Sequence, residues 1–370
     1  MEPVLWSIKY RPNSWEEFYG QDQAISQLKS YGATKTIPHL IFYGPSGSGK
    51  TVAANIYARS VLGDGYSSNF KVLNVRDIRS YSIAKAKRNI GALAKLDRAQ
   101  RTELDEYMSV VFREAKAELK SKGKSGDPNR SQLLHQAIRL FASTFTVYEG
   151  LLKILVLEEA DALDSNMLQA LRRTMEIYSG SCRFILITPS LAGWNPAIAS
   201  RSIVVHFKAI DDESIESILS NIAKHEGVDV DTLGMSALVK SANGDARRAI
   251  DLLQTCAATG KKVTEDIVHE YSETPLFSGV RKMISFALSN EYVKARDILR
   301  KLLTSEQYTP QQVMVQIQRE VIRRPLDDAK LRHLLDRMSE IDYRMTQGKN
   351  PHIHLMALLA SIGNLPSEEP

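Results

Sequence analysis

The chain has 370 residues, enough for two or three domains, and its 43% hydrophobic and 25% charged residues are an ordinary globular composition that excludes a disordered or low-complexity chain. It has no apolar run of roughly eighteen residues to cross a bilayer, and its start, MEPVLWSIKYRP, lacks the layout of a signal peptide, so an intracellular protein with no membrane partner is expected. Two cysteines, Cys182 and Cys256, are too few for a disulfide framework or a zinc site, and the net charge of +5 conceals an asymmetry: residues 71–140 carry sixteen Lys or Arg against eight Asp or Glu, a candidate polyanion face or else a set of solvated helix surfaces.

Taken in chain order, the first clear element is the apolar run HLIFY, His39 to Tyr43, a strand candidate. It leads into Gly44-Pro45-Ser46-Gly47-Ser48-Gly49-Lys50-Thr51, and the helical stretch VAANIYARSVL follows. Strand, glycine loop and helix in this order form a phosphate-binding loop. Its glycines let successive amides turn inward, the helix N-terminus adds positive potential, Lys50 supplies a mobile charge for the β and γ phosphates, and the Thr51 hydroxyl is the expected Mg²⁺ ligand. KVLNV at Lys71 is a second strand candidate. Two 3.6-period stripes come next, Leu104, Met108, Val111, Ala115 and Leu119, then Leu134, Ala137, Ile138, Phe141 and Phe145, separated by the turn SKGKSGDPNR. They predict a helical hairpin at about 90–150 that does not fit a compact α/β core.

KILVL at Lys153 runs straight into Glu158, Glu159 and Asp161. Carboxylates at a strand end are what a phosphate loop needs, one to hold magnesium and one to orient or deprotonate water; the plain alternative is an acidic cap on the next helix. RFILIT at Arg183 and SIVVHF at Ser202 complete a set of five strands whose uninterrupted apolar runs suit a parallel sheet buried on both faces. An α/β nucleotide-binding core over 1–208 is expected. From Ala209 the strands stop. DDESIESILSNIAKHEGV predicts a helix closed at Gly227, and further helices at Asp231–Ala242 and Ala246–Ala258 make a small helical domain over 209–273. After a turn at Thr274-Pro275, pairs such as Ile298 with Leu302 and Leu331 with Leu335 predict a helical bundle over 274–370, ending in the polar tail NLPSEEP.

Four stretches in order, LWSIKYRPNSWEEFYGQDQAISQLKSYGATKTIPHLIFYGPSGSGKT, LEEADALDSNMLQALRRTMEIYSGSCRFIL, IASRS and GDARRAIDLLQ, resemble the small subunits of replication factor C, the AAA+ sliding-clamp loader. The resemblance spans the chain apart from the hairpin. It implies an AAA+ core, a helical lid and a C-terminal helical collar through which subunits assemble. It further implies ATP with Mg²⁺ as ligands, and as partners the large and other small subunits, the ring-shaped clamp (proliferating cell nuclear antigen) and primer-template DNA. By the same resemblance Tyr10, Arg11 and Pro12 lie over the nucleotide, Arg247 reaches the γ phosphate from the lid, Glu159 activates water, and Arg201 is an arginine finger acting on ATP held by a neighbour. The compartment expected is cytoplasmic for an archaeal protein and nuclear for a eukaryotic one.

Three departures from the family pattern bear on activity. Glu158 stands where the family has Asp and is expected to disturb magnesium geometry, since that ion tolerates little distortion. Pro189 occupies the place of a polar sensor Asn, leaving Thr188 as the substitute. The hairpin displaces the segment behind the family's Asn-Ala-Ser-Asp-Glu-Arg motif. Arg79 matches that motif's arginine, and with Lys85, Lys87 and Arg88 it is the candidate DNA phosphate contact; the hairpin itself is expected to touch a subunit or partner. Slowed hydrolysis at this chain's own site follows as the expectation. The rival readings are a nearly inactive structural subunit that donates Arg201 and, more distantly, an AAA+ branch-migration helicase motor.

Overall fold

The five apolar runs form one parallel sheet: β1 (His39–Tyr43), β2 (Phe70–Asn74), β3 (Lys153–Glu158), β4 (Cys182–Thr188) and β5 (Ser202–His206), in the order β2-β3-β4-β1-β5. The computed structural model describes residues 5–33, 37–86, 102–144, 152–272, 275–348 and 350–364. Lys87, Arg88, the outer parts of the hairpin insert with Phe145, the turn at Thr274 and the tail beyond Asn364 lie outside the described residues.

Successive side chains of a strand point to opposite faces, so each apolar run serves two cores. Leu155 and Leu157 of β3 join one cluster while Ile154 and Val156 join the other. The second face is covered by α2 (Asp22–Ala33) and α3 (Lys50–Leu62), which bury Leu28, Ala53, Ala54 and Tyr57. The first is covered by α4 (Val75–Ser80), the hairpin helices α5 (Glu103–Ser121) and α6 (Arg130–Ser143), and α7 (Ser165–Ile177).

The hairpin, read from the sequence as not fitting a compact α/β core, therefore is a layer of that core. α6 packs against α4, α7 and β3, and α5 lies on α6, with Met108, Val111, Phe112, Leu133, Leu134 and Ala137 fully buried. Local sequence sets its ends: Thr102 caps α5, and Asn129 with Gln132 forms a capping box on α6. Its far end is fastened by Lys153 at the start of β3. This lysine is buried, its Nζ donating to Phe141 O at 2.7 Å and Thr144 Oγ1 at 2.8 Å, and burial lowers its pKa.

The four-residue α8 (Pro196–Ala199) precedes β5, and α9 (Asp212–Glu226), α10 (Thr232–Ala242) and α11 (Ala246–Ala257) follow it. α9 ends at Gly227 in the left-handed conformation, φ 68°, where the sequence placed its stop. The chain divides into two compact units, Met1–Glu265 and Asp266–Pro370. The second is helical: α12 (Glu265–Ser272) leads into it, and α13 (Pro275–Leu288), α14 (Tyr292–Thr304), α15 (Pro310–Arg323), α16 (Asp328–Gln347) and α17 (Pro351–Gly363) enclose a core of Met283, Leu299, Ile317, Ile341 and Leu358. Among the described residues no helix is long and apolar enough to cross a membrane.

Candidate nucleotide site

β1 and β3 deliver their C-terminal ends to the same edge of the sheet, separated only by β4, and this brings together motifs far apart in sequence. After Tyr43 the loop turns through Gly44, Gly47 and Gly49, with φ of 145°, 67° and 88°. Two of these glycines also meet close neighbours. A Cβ on Gly47 would lie 1.8 Å from Asp245 Oδ1, and one on Gly49 would lie 2.5 Å from the Phe18 ring.

α3 then begins at Lys50 with no side-chain cap, so its first N–H groups remain available to an anion. Lys50 folds over the loop, its Nζ donating to Gly44 O at 2.8 Å and Pro45 O at 2.5 Å. Burial lowers its pKa to about 8; Asp245 opposes that shift and Arg247 adds to it. Asp245 and Arg247 are thus within electrostatic reach of Lys50. Pro45, Ser46 and Ser48 complete the loop, and Ser48 Oγ holds Pro45 O at 2.8 Å.

The Thr51 hydroxyl donates to Glu158 Oε1 at 2.5 Å. The extra methylene of Glu158 brings its carboxylate onto the hydroxyl that would share a magnesium ion, so the donor set fits a hard cation. No group of three or more His, Cys, Asp or Glu that could hold a metal ion alone exists among the described residues. An ion here would be shared with phosphate oxygens and water.

Glu159 is half-exposed and sits at φ 52°, a left-handed conformation uncommon for a residue with a Cβ. Its Oε2 lies 3.0 Å from Nε of Arg76, and Nη2 of the same arginine lies 2.9 Å from Asp161 Oδ2. Arg79, one turn further along α4, donates to Ala162 O and approaches Asp164 Oδ2 at 3.9 Å. Two arginines of one short helix thus grip the acidic segment. Asp164 also caps α7, accepting from Met167 N at 2.9 Å, so the segment does serve as a helix cap, through Asp164 rather than Glu158 or Glu159.

A cleft of about 440 Å³ opens beside the loop, lined by Tyr10, Arg11, Pro12, Phe18, Gly47, Gly49, Val52, Ile222, His225 and Arg247 among others. It has the size and mixed lining of a small-molecule site. The Tyr10 hydroxyl donates to Glu226 Oε1 at 2.6 Å and Lys9 Nζ lies 3.0 Å from the same oxygen, tying α1 (Trp6–Lys9) to α9. Burial and that hydrogen bond raise the Tyr10 pKa.

Two sequence assignments are corrected. Thr188 is fully buried, its hydroxyl donating to Ser190 O at 2.8 Å and accepting from Trp194 Nε1 at 3.3 Å; it holds the 188–194 turn and has nothing left for a water or phosphate. Lys85 is taken up by Asp105, Nζ to Oδ1 2.7 Å, with Tyr81 OH on the same oxygen at 2.6 Å. Burial works against the Asp105 carboxylate, yet hydrogen bonds from Lys85, Tyr81 and Thr102 outweigh it and hold the pKa at about 2. That lysine fastens the start of α5. Of the two candidate DNA contacts among the described residues, Arg79 lies at the acidic segment and Lys85 does not.

Arg201 is exposed at the entry to β5, at the edge of the sheet, with Nη2 2.8 Å from Glu176 Oε1. Ser202, where the family pattern has Cys, leaves its buried Oγ without a hydrogen-bond partner among the described residues. Arg76 and Glu176 are the residues sequence reasoning missed. Neither belongs to a local pattern, and only proximity reveals them.

Comparison with known proteins shows the family. A model of the replication factor C C-terminal domain matches residues 275–361, and an AAA domain model matches residues 34–194. The chain is 32% identical to the replication factor C small subunit of Archaeoglobus fulgidus over 98% of both chains. It is 31% identical to that of Methanococcus vannielii over 97% of this chain and 98% of the other, and 29% identical to replication factor C small subunit 1 of Pyrobaculum islandicum over 99% and 96%. Among solved structures, the Aeropyrum pernix Orc1 protein in complex with DNA aligns at TM-score 0.47 and 17% identity over 88% of this chain and 82% of that one. The Thermotoga maritima RuvB branch migration motor aligns at 0.45 and 16% over 81% and 82%. Likeness this loose adds nothing to the assignment.

Proposed function

The chain belongs to the replication factor C small-subunit family, an ATPase subunit of a clamp loader that works in a complex with other subunits, and from that premise we propose that it binds ATP with Mg²⁺ in the cleft beside Gly44–Thr51 and hydrolyses it slowly while helping to place the sliding clamp on primer-template DNA. The division into a core (1–208), lid (209–273) and collar (274–370) belongs to this reading. So do the residue roles: loop amides, Lys50 and Arg247 on the phosphates, Thr51 and Glu158 on magnesium, and Tyr10, Arg11 and Pro12 over the nucleotide. Magnesium, when bound, neutralises phosphate charge. Glu159 takes the proton of the attacking water, and Arg201 acts on ATP held by a neighbouring subunit.

The observation that carries the slow-hydrolysis reading is the Arg76–Glu159 pair. A carboxylate engaged by a guanidinium at 3.0 Å has a lone pair less to orient water, and its release must precede the reaction. An exposed pair of this kind contributes at most about 1 kcal/mol, so it slows turnover by a factor of a few and does not abolish it. With its hydroxyl turned inward onto Ser190 O, Thr188 does not replace the family's sensor.

Turnover of the reconstituted assembly, with clamp and primed DNA, tests the reading. Glu159→Gln is expected to remove this subunit's share of hydrolysis while leaving nucleotide bound. If total hydrolysis stays unchanged with Glu159→Gln but falls with Arg201→Ala, the chain is a structural subunit. For DNA, Arg79→Glu is expected to weaken binding and to flatten the salt dependence by about one phosphate contact. Lys85→Glu is expected to act on folding instead; equal salt slopes for wild type and Arg79→Glu would refute the contact.

A further inference from the structure

We propose that Glu176 is a positioning residue for the arginine finger, holding the Arg201 guanidinium at the edge of this chain so that it meets a neighbouring subunit's nucleotide already aimed. The inference rests on the reading of Arg201 given above. Three contacts from two elements, α7 and α8 with its C-cap Ser200, converge on this guanidinium. From the last turn of α7, Glu176 Oε1 takes Nη2 at 2.8 Å; from α8, Ala197 O takes Nη1 at 2.8 Å; and the Ser200 hydroxyl lies 3.4 Å from the same nitrogen.

The holders are themselves fixed. Arg172, one turn back on α7, places Nε 3.1 Å from the same Glu176 oxygen, so the carboxylate is braced from its own helix. Hydrogen bonding from Arg172, with Arg201 adding to it, keeps Glu176 ionised below the usual carboxylate range. α8 is anchored by fully buried Ile198, begins with Pro196 and is capped by Asn195. The arginine stays about one-third exposed, and its Nε has no acceptor among the described residues, which leaves donors for a phosphate.

One carboxylate shared by two arginines leaves the trio with a net positive charge, so the approach of a polyphosphate is still favoured. A long side chain that is already held loses less rotamer freedom when it docks, and in catalysis a group held in place needs no reorganisation as transition-state charge develops. Glu176 thus acts through Arg201 and never touches the substrate.

The test is steady-state ATP turnover by the reconstituted loader with clamp and primed DNA, comparing wild type, Glu176→Gln, Glu176→Asp, Arg201→Ala and the double variant Glu176→Gln/Arg201→Ala. Glu176→Gln is expected to lower kcat about three- to tenfold with KM for ATP unchanged. Glu176→Asp should recover part of the loss, and Glu176→Gln should have no further effect in the Arg201→Ala background. If Arg201→Ala lowers kcat while Glu176→Gln leaves it unchanged or raises it, the positioning role is wrong and the finger stands. An equal drop from Glu176→Gln with and without Arg201 would mean a merely structural role and overturns the proposal. If Arg201→Ala itself is silent, the finger reading falls, and this inference with it.

Discussion

The phosphate loop and the acidic segment opposite it were equally plain as motifs, yet the folded chain treats them differently. In the loop, α3 starts without a side-chain cap and Lys50 rests only on carbonyl oxygens of its own loop and on Ser48, partners that a phosphate can replace. In the acidic segment every side chain that bears on chemistry has a partner: Glu158 has Thr51, while Glu159 and Asp161 share Arg76. Binding and turnover are thus prepared separately. One half of the site waits for its ligand, and the other must first let go of its own neighbours.

The strongest way to break this contrast is Lys50→Ala. Loss of charge-assisted contacts to two phosphates is expected to weaken ATP binding about 100-fold or more, measured by fluorescent nucleotide titration. Binding within a few-fold of wild type would mean that the loop is not the principal anchor. Arg76→Ala sharpens the other side: freeing Glu159 is expected to raise turnover by about two- to fivefold with nucleotide affinity unchanged. A fall in turnover would instead make Arg76 a contributor to catalysis.

The smallest effect is a proton. In the free chain the Lys50 pKa is lowered to about 8, and a bound polyphosphate raises it again, because opposite charge favours the ammonium form. Binding at pH 8 is therefore expected to take up roughly half a proton, falling toward none at pH 6, and affinity should decline as pH rises above 8. Calorimetry in two buffers of different ionisation enthalpy measures the uptake. Equal heats at pH 8, once corrected for dilution, would show that the lysine is already charged in the free chain.

The hairpin shows where pattern reading stops. Its two stripes form helices over Glu103–Ser121 and Arg130–Ser143, because an amphipathic period is a local property, but nothing in their spacing says what covers them. The structure buries Met108, Val111 and Ala115 of the first and Leu134, Ala137, Ile138 and Phe141 of the second in the cluster that covers one face of the sheet, α6 on β3 and α5 on α6, and fixes them through Lys153 and through Asp105 with Lys85. A stripe says that a face must be covered and does not say by what. The same limit applies to the basic excess between Lys71 and Leu140: Lys71, Lys85, Lys116 and Lys122 all pair with carboxylates from the same region.

By itself the sequence determined the strands, the phosphate loop, the carboxylates that follow β3 and the helical character of everything after β5. These depend on backbone dihedrals, side-chain period and short fixed spacings, all of which neighbouring residues set. Only the tertiary structure decided that Tyr10 meets Glu226, 216 residues away, that Thr188 turns inward, that Arg76 engages Glu159 and that Glu176 holds Arg201. A charged or hydroxyl side chain takes whichever partner the fold brings within about 3 Å, and that distance is set by how helices and strands pack, not by any spacing along the chain.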